Sequence, residues 1–170
     1  MPSKAHKELC ARLMVPDSEC LAKIWEIIAD ESDTSLLLAM PGTISQLAEA
    51  TSIDPKEIES RLDALFHKGV AFPADKPQGT IFRPPRHLIQ FHDASNQWPE
   101  APLAFFDLWK EFMNAEFPKF VGILVSSGFP AFMRTVPSLQ AIEAIGQVEP
   151  FEDVAAMIEQ ADQIAVCRCP

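Results

Sequence analysis

The segment DPKEIESRLDALFHKG, residues 54–69, constrains the fold most, because it contains signals for both ends of a helix. Asp54 can accept a hydrogen bond from a free N–H group of the first turn, and Pro55 occupies the first helical position, where no N–H is needed. Glu57 is placed to complete a capping box. Gly69 is suited to the left-handed conformation that commonly ends a helix. The apolar residues between these ends recur at helical spacing and predict a buried face: Ile58, Leu62, Leu65 and Phe66.

The sequence on either side of this helix predicts a second helix and a β-hairpin. Upstream, TISQLAEATSI begins with Thr43 and Gln46 in capping-box positions and continues as a short apolar-periodic run. Downstream, VAFPADKPQGTIF holds two short strand-like runs around a turn at residues 76–79. A short helix, a tight turn, a longer helix and a hairpin predict a winged helix-turn-helix. We therefore expect a mainly α (α+β) chain, with a winged-helix-like domain over residues 1–90 and a helical extension over 91–170.

The remaining segments predict further helices. DSECLAKIWEIIADES is amphipathic and can be capped by Asp17 or Ser18. The proline-rich stretch at residues 83–102 reads as irregular, with a short buried element possible at Leu88, Ile89 and Phe91. The segment 102–117 predicts a helix so broadly aromatic that it is either buried on several sides or forms the contact of a homodimer. Residues 148–162 predict an amphipathic helix, and QIAV after them a short buried strand.

The charge distribution bears on whether such a module would bind nucleic acid. The net charge is −10, and residues 91–170 hold four basic and eleven acidic residues. Phosphate contacts supply most non-specific affinity for DNA, and the outward face of the second helix is mixed in charge. We therefore favour a protein-interaction role. The alternative is a transcriptional regulator that binds duplex DNA as a dimer through a modest stripe on the helix and hairpin: Lys56, Ser60, Arg61, Lys68, Lys76, Arg83 and Arg86.

The search for chemistry leads to the cysteines. The histidines lack zinc-ligand spacing, no phosphate-binding glycine loop precedes a helix, and no catalytic constellation is visible, which leaves open an enzyme whose site the sequence hides. Cys20, in the first turn of a helix, is expected to be structural, while Cys10 could lie at the surface. Cys167 and Cys169 are two residues apart, so an extended backbone would place both thiols on one face. Such a pair is either two free thiols or part of a soft-metal site.

The stretches LLLAMPGTISQLAEATSI, LDALFHKGVAF and QFHDASNQWPEAPLAFFDLWKEFM, with the final Cys-x-Cys, resemble a family of prokaryotic iron–sulfur proteins. That family has an N-terminal winged-helix region followed by ferredoxin-type 4Fe–4S segments. The resemblance implies that Cys167 and Cys169 are the first two ligands of a 4Fe–4S cluster and that the other ligands follow in a longer protein, of which this chain would be a fragment; a shortened relative is the other possibility.

The resemblance also indicates what the chain does. It implies a non-catalytic docking or regulatory region of an electron-transfer protein, at most an accessory part of an oxidoreductase. The partner would be a redox protein or the chain's own missing C-terminal ferredoxin segment. Because no apolar run is long enough to span a membrane and the polar N-terminus lacks a signal-peptide core, we expect a cytoplasmic protein.

Overall fold

The computed structural model describes residues 3–77, 79–128, 151–164 and 166, and within them it is mainly helical with one small sheet, as predicted. No helix among these residues is long and apolar enough to cross a membrane. The helices are α1 Lys4–Arg12, α2 Glu19–Ile28, α3 Glu31–Ala39, α4 Ile44–Thr51, α5 Pro55–His67, α6 Leu88–Ser95, α7 Leu103–Ala115, α8 Phe117–Ser126 and α9 Phe151–Glu159. The strands are β1 Phe72–Lys76 and β2 Gly79–Arg83.

The chain divides into two compact units, and the first of them contains every described side chain discussed below as part of a candidate site. The first unit runs to residue 121 and includes α1 to α7 and the hairpin; the second begins at residue 122 and includes α9. In the first unit α2 packs against α1 and α7, while α3 packs against α1, α4 and α5.

The predicted helix starts are confirmed by their hydrogen bonds. The Ser18 hydroxyl accepts from the Leu21 N–H at 3.0 Å, and Thr43 and Gln46 form the reciprocal capping box of α4. Asp54 caps α5 by accepting from the Lys56 N–H at 2.9 Å. The prediction that Glu57 completes a capping box there is wrong: its carboxylate accepts a hydrogen bond from Arg61 one turn later.

The end of α5 joins that helix to the hairpin and to α6. Gly69 has φ +73°, its N–H donates to the Phe66 carbonyl, and the Val70 N–H donates to the Leu65 carbonyl. These two bonds form a Schellman motif, which satisfies carbonyls that the helix end leaves free. The strands β1 and β2 then pair antiparallel from Phe72↔Arg83 to Lys76↔Gly79.

The core of the first unit is built around stacked aromatic rings. Trp25 on α2 lies parallel to Phe91 on α6, with ring centroids 4.2 Å apart, and Trp109 on α7 meets Phe91 edge-on at 5.2 Å. Phe105 and Phe112 are buried on the same face of α7 as Trp109. Leu108 is half-buried next to this face, and the other residues of α7 are largely exposed. Within the described part of the chain, the aromatic helix is therefore not buried on several sides.

The short buried element expected in the proline-rich stretch is the helix α6, in which Leu88 and Phe91 are buried. Pro84 and Pro85 precede this helix rather than interrupt it, and His87 caps it through its ring Nδ1, which accepts from the Gln90 N–H at 3.1 Å.

Two other local predictions are wrong. Phe66, placed on the predicted buried face of α5, is 56% exposed. The buried strand at QIAV is contradicted by its described residues. Ile164 is 59% exposed and Val166 is 94% exposed, and neither is in a strand.

Candidate functional site

The seven residues predicted for the DNA alternative lie on α5, at its C-terminal end, in the hairpin and in the segment after the hairpin. Their side chains fall into two groups. In the first group the side chains are exposed: the basic residues Lys56, Lys76 and Arg86, and Ser60, which lies on α5 with Lys56. The other three, Arg61, Lys68 and Arg83, are held by groups of the first unit itself.

Arg61 is surrounded by carboxylates. Its Nη1 lies 2.8 Å from Asp33 Oδ1 and 3.1 Å from Asp30 Oδ2, and its Nε donates to Glu57 Oε1 at 2.9 Å. These hydrogen bonds, that to Asp33 first, raise the pKa of the guanidinium above its ordinary value. The pKa of Asp30 is lowered, mainly by the N–H of Asp33 and then by Arg61. The guanidinium therefore ties α5 to the start of α3, and its charge is neutralised within the unit.

Lys68 is also directed inward. Its Nζ donates to the Ile28 carbonyl at 2.5 Å, at the C-terminal end of α2, and lies 5.3 Å from the centroid of the Trp98 ring. A cation is favourable at a helix C-terminus and over an aromatic face, so both contacts stabilise the ammonium in this position. The ammonium joins the end of α5 to α2 and to the segment before α7.

Arg83 packs along the base of the hairpin. Its guanidinium lies 5.0 Å from the Phe72 ring and donates to Gln90 Oε1 at 3.2 Å. Burial lowers its pKa from the usual arginine value, and the neighbouring charge of Arg86 adds to the shift. These contacts fix the hairpin against α6, which follows it in the chain.

The exposed face of α5 is acidic as a result. With Glu57 paired to Arg61, the exposed charged residues that remain on the helix are one cation, Lys56, and two anions, Glu59 and Asp63. A surface of this sign repels the phosphate backbone, whose attraction to lysine and arginine supplies most of the affinity for duplex DNA.

Cys10 and Cys20 lie in the core of the first unit. They are 0% and 4% exposed, and burial, together with the nearby Glu116 carboxylate, raises the pKa of each thiol to about 12. The suggestion that Cys10 lies at the surface is wrong, because α1 turns it toward the interior. Since the thiolate is the form that binds metals, these two residues are placed for packing rather than for ligation.

Cys167 and Cys169, the predicted cluster ligands, lie outside the described residues. Among the residues that the structure does describe, no group of three or more histidine, cysteine, aspartate or glutamate side chains is arranged to hold a metal ion.

Glu116 is an important residue that sequence reasoning missed. From the end of α7 its carboxylate accepts hydrogen bonds from the Ser18 hydroxyl and, at 3.3 Å, from the Cys20 N–H, so it lies at the N-terminus of α2. A negative charge is favourable there. Glu116 follows Ser18 by 98 residues, so no local pattern indicates the contact.

Comparison with known proteins identifies no relative: no family model, no curated protein and no solved structure matches the chain.

Proposed function

We propose that this chain is a non-catalytic docking or regulatory region of a 4Fe–4S electron-transfer protein, and that α4, α5 and the hairpin act as a winged helix that contacts protein rather than duplex DNA. The observation that carries the second part is the neutralisation of Arg61 by Asp30, Asp33 and Glu57. The cluster part rests on the Cys-x-Cys pair, Cys167 and Cys169, and on the family resemblance.

The choice of protein over DNA depends on which cations remain free. A stripe that binds phosphates would need Arg61, Lys68 and Arg83, which span α5 and the base of the hairpin. All three are engaged by a carboxylate, a carbonyl or a ring of their own unit. Releasing them would break contacts that hold α5 to α3 and α2, and the hairpin to α6. A protein partner with neutral or basic residues fits the acidic face of α5 better.

Duplex binding is tested by fluorescence anisotropy with a labelled mixed-sequence duplex at low salt. Non-specific binders typically have dissociation constants of about 1–100 µM at physiological salt and bind more tightly at low salt, and we expect no saturable binding up to about 100 µM. The comparison protein carries Lys56→Glu, Lys76→Glu and Arg86→Glu, which remove the exposed cations. Micromolar binding by the wild type that this variant loses would replace the docking proposal with the DNA-binding regulator.

The cluster is tested on the full-length gene product. After anaerobic reconstitution with ferrous iron and sulfide, we expect visible absorption and bound iron that fall when Cys167 and Cys169 are both replaced by serine. The matched control is Cys10→Ala with Cys20→Ala, which should leave the iron content unchanged because both thiols are buried and protonated. A colourless wild type, or unchanged iron in the Cys167→Ser/Cys169→Ser protein, would remove the electron-transfer function.

A further inference from the structure

Four side chains at the base of the hairpin and the start of α6 form a group rich in hydrogen-bond donors, which we call the donor cluster: Arg83, Arg86, His87 and Gln90. One atom joins its members, since Gln90 Oε1 accepts from Arg83 Nη1 at 3.2 Å and from the Arg86 backbone N–H at 2.9 Å. Arg83 Nη1 also donates to the Pro84 carbonyl at 3.3 Å, and the guanidinium lies 5.0 Å from the Phe72 ring. The position of this guanidinium is therefore set by the protein itself.

The acceptor atoms of the donor cluster are already used inside it. Gln90 Oε1 receives two hydrogen bonds, and His87 Nδ1 accepts from the Gln90 N–H at 3.1 Å. Because this ring nitrogen accepts, the proton of the neutral imidazole is on Nε2, which is a donor. Within the described part of the chain, no hydrogen bond is made by Arg83 Nε or Nη2, by the Arg86 guanidinium or by Gln90 Nε2. The cluster thus offers a ligand only donors.

No carboxylate of the described residues balances the two arginines of the donor cluster. Arg61 contacts three carboxylates and Arg12 lies 3.9 Å from Glu8, but no described carboxylate lies within 4.0 Å of Arg83 or Arg86. Acidic residues are not scarce, because the chain has 24 of them against 14 lysines and arginines. Burial, and then the charge of Arg86, lower the pKa of Arg83, so the two cations are close enough to repel each other. An anion bound to both would remove that repulsion.

We propose that the donor cluster binds a compact phosphate group, as inorganic phosphate or as a small phosphate monoester. A tetrahedral dianion accepts hydrogen bonds from several donors at once and matches the two positive charges, whereas a carboxylate has two oxygens and one charge. Arg83 keeps its present contacts in the complex, because these use Nη1 and the face of the guanidinium and leave Nε and Nη2 for the ligand. A duplex would also need Arg61 and Lys68, which are engaged within the first unit.

An NMR titration of the isotope-labelled whole chain with inorganic phosphate tests the site. At constant ionic strength and near neutral pH, we expect saturable shifts of the Gln90 side-chain amide and the Arg83 Nε–H signals, with a dissociation constant of about 1–10 mM. Arg86→Gln should raise that constant at least about tenfold, because it removes a charge-assisted donor from an exposed position where the fold does not need it. Lys56→Gln is the matched control: it also removes one exposed cation, but from α5, and should leave the constant unchanged.

Two other ligands separate a phosphate site from its alternatives. Acetate at the same ionic strength should not saturate the site, and a mixed-sequence duplex should not shift the same signals. Binding of acetate as tight as that of phosphate would indicate a carboxylate site, and tighter binding of the duplex would assign the two arginines to a DNA-binding surface; either result would overturn the proposal. So would the absence of saturable shifts up to about 50 mM phosphate, or an unchanged constant in the folded Arg86→Gln protein. Phosphate binding does not depend on the iron–sulfur cluster or on a protein partner, so this site and the proposed function can fail separately.

Discussion

Replacing Gly69 by alanine should destabilise the first unit strongly, because the residue is constrained in two ways. Its φ of +73° costs a residue with a side chain about 1–2 kcal/mol. A Cβ built there would lie 2.3 Å from the Ala94 carbonyl oxygen, 2.5 Å from the Ala94 carbonyl carbon and 2.9 Å from the Ser95 nitrogen, all in the backbone of α6. Since backbone cannot rotate away, α6 must shift, and such overpacking costs about 1–3 kcal/mol. Alanine also lowers the entropy of the unfolded chain, which returns about 0.4–1 kcal/mol. We expect a net loss of about 2–4 kcal/mol.

The loss can be measured by urea denaturation followed by tryptophan fluorescence, since Trp25 and Trp109 are buried beside α6. The control is Gly79→Ala: Gly79 also has a positive φ, +113°, but a Cβ there meets no atom within 4 Å. This variant isolates backbone strain, for which we expect a loss of about 1 kcal/mol. If Gly69→Ala is no more destabilising than Gly79→Ala, the close approach of α5 to α6 does not contribute as argued here.

Three other perturbations are predicted. Arg61→Met should lower the free energy of unfolding by about 1–3 kcal/mol, because it leaves the nearly buried Asp33 carboxylate unpaired. A double-mutant cycle with Asp33→Asn should give a coupling energy of at least about 0.5 kcal/mol between the two side chains. Cys10 and Cys20 should react with a thiol reagent at pH 8 only after unfolding. Because the pKa of each thiol is about 12 in the folded protein against 9.0 in the unfolded chain, the contribution of the two thiols to the free energy of unfolding is fully present below about pH 9 and is lost as the pH rises toward 12. The free energy of unfolding should therefore fall less steeply with pH in the Cys10→Ala/Cys20→Ala protein. Glu116→Ala should cost about 1–2 kcal/mol in the same denaturation assay, since a charged acceptor at the start of α2 is lost, whereas an unchanged midpoint would contradict its role as a second cap.

The elements that the sequence predicted correctly are those specified by neighbours in the chain. Thr43 and Gln46 are three residues apart, and Asp54 precedes Pro55 directly, so their capping bonds need no tertiary structure. Gly69 terminates α5 for the same local reason. Where the local signal was unusual, the sequence indicated a buried element but not its type: α6 begins with a histidine cap, a role more often taken by serine, threonine, aspartate or asparagine.

The state of the candidate site could not be predicted, because it depends on contacts between distant parts of the chain. One partner of Arg61, Glu57, lies four residues earlier on the same helix, but the other two, Asp30 and Asp33, lie on or next to α3, 31 and 28 residues earlier. Lys68 reaches a carbonyl 40 residues earlier, on α2. A count of basic residues therefore overestimates the positive charge that α5 presents to a ligand, since it cannot show which cations are already paired.

The same ion contacts link the stability of the first unit to its recognition properties. Lys68 and Arg61 hold α5 against α2 and α3. In a DNA-binding winged helix, the helix at the position of α5 would enter the major groove, and the same two cations would be needed to contact phosphates. What remains unpaired on the exposed face of α5 is two carboxylates, Glu59 and Asp63, and one ammonium, Lys56. Under the docking proposal, a surface of that composition would repel polyanions and attract basic protein surfaces, and this long-range interaction would weaken as salt is added. Releasing these cations for phosphate binding would therefore require breaking the contacts that join α5 to its neighbours.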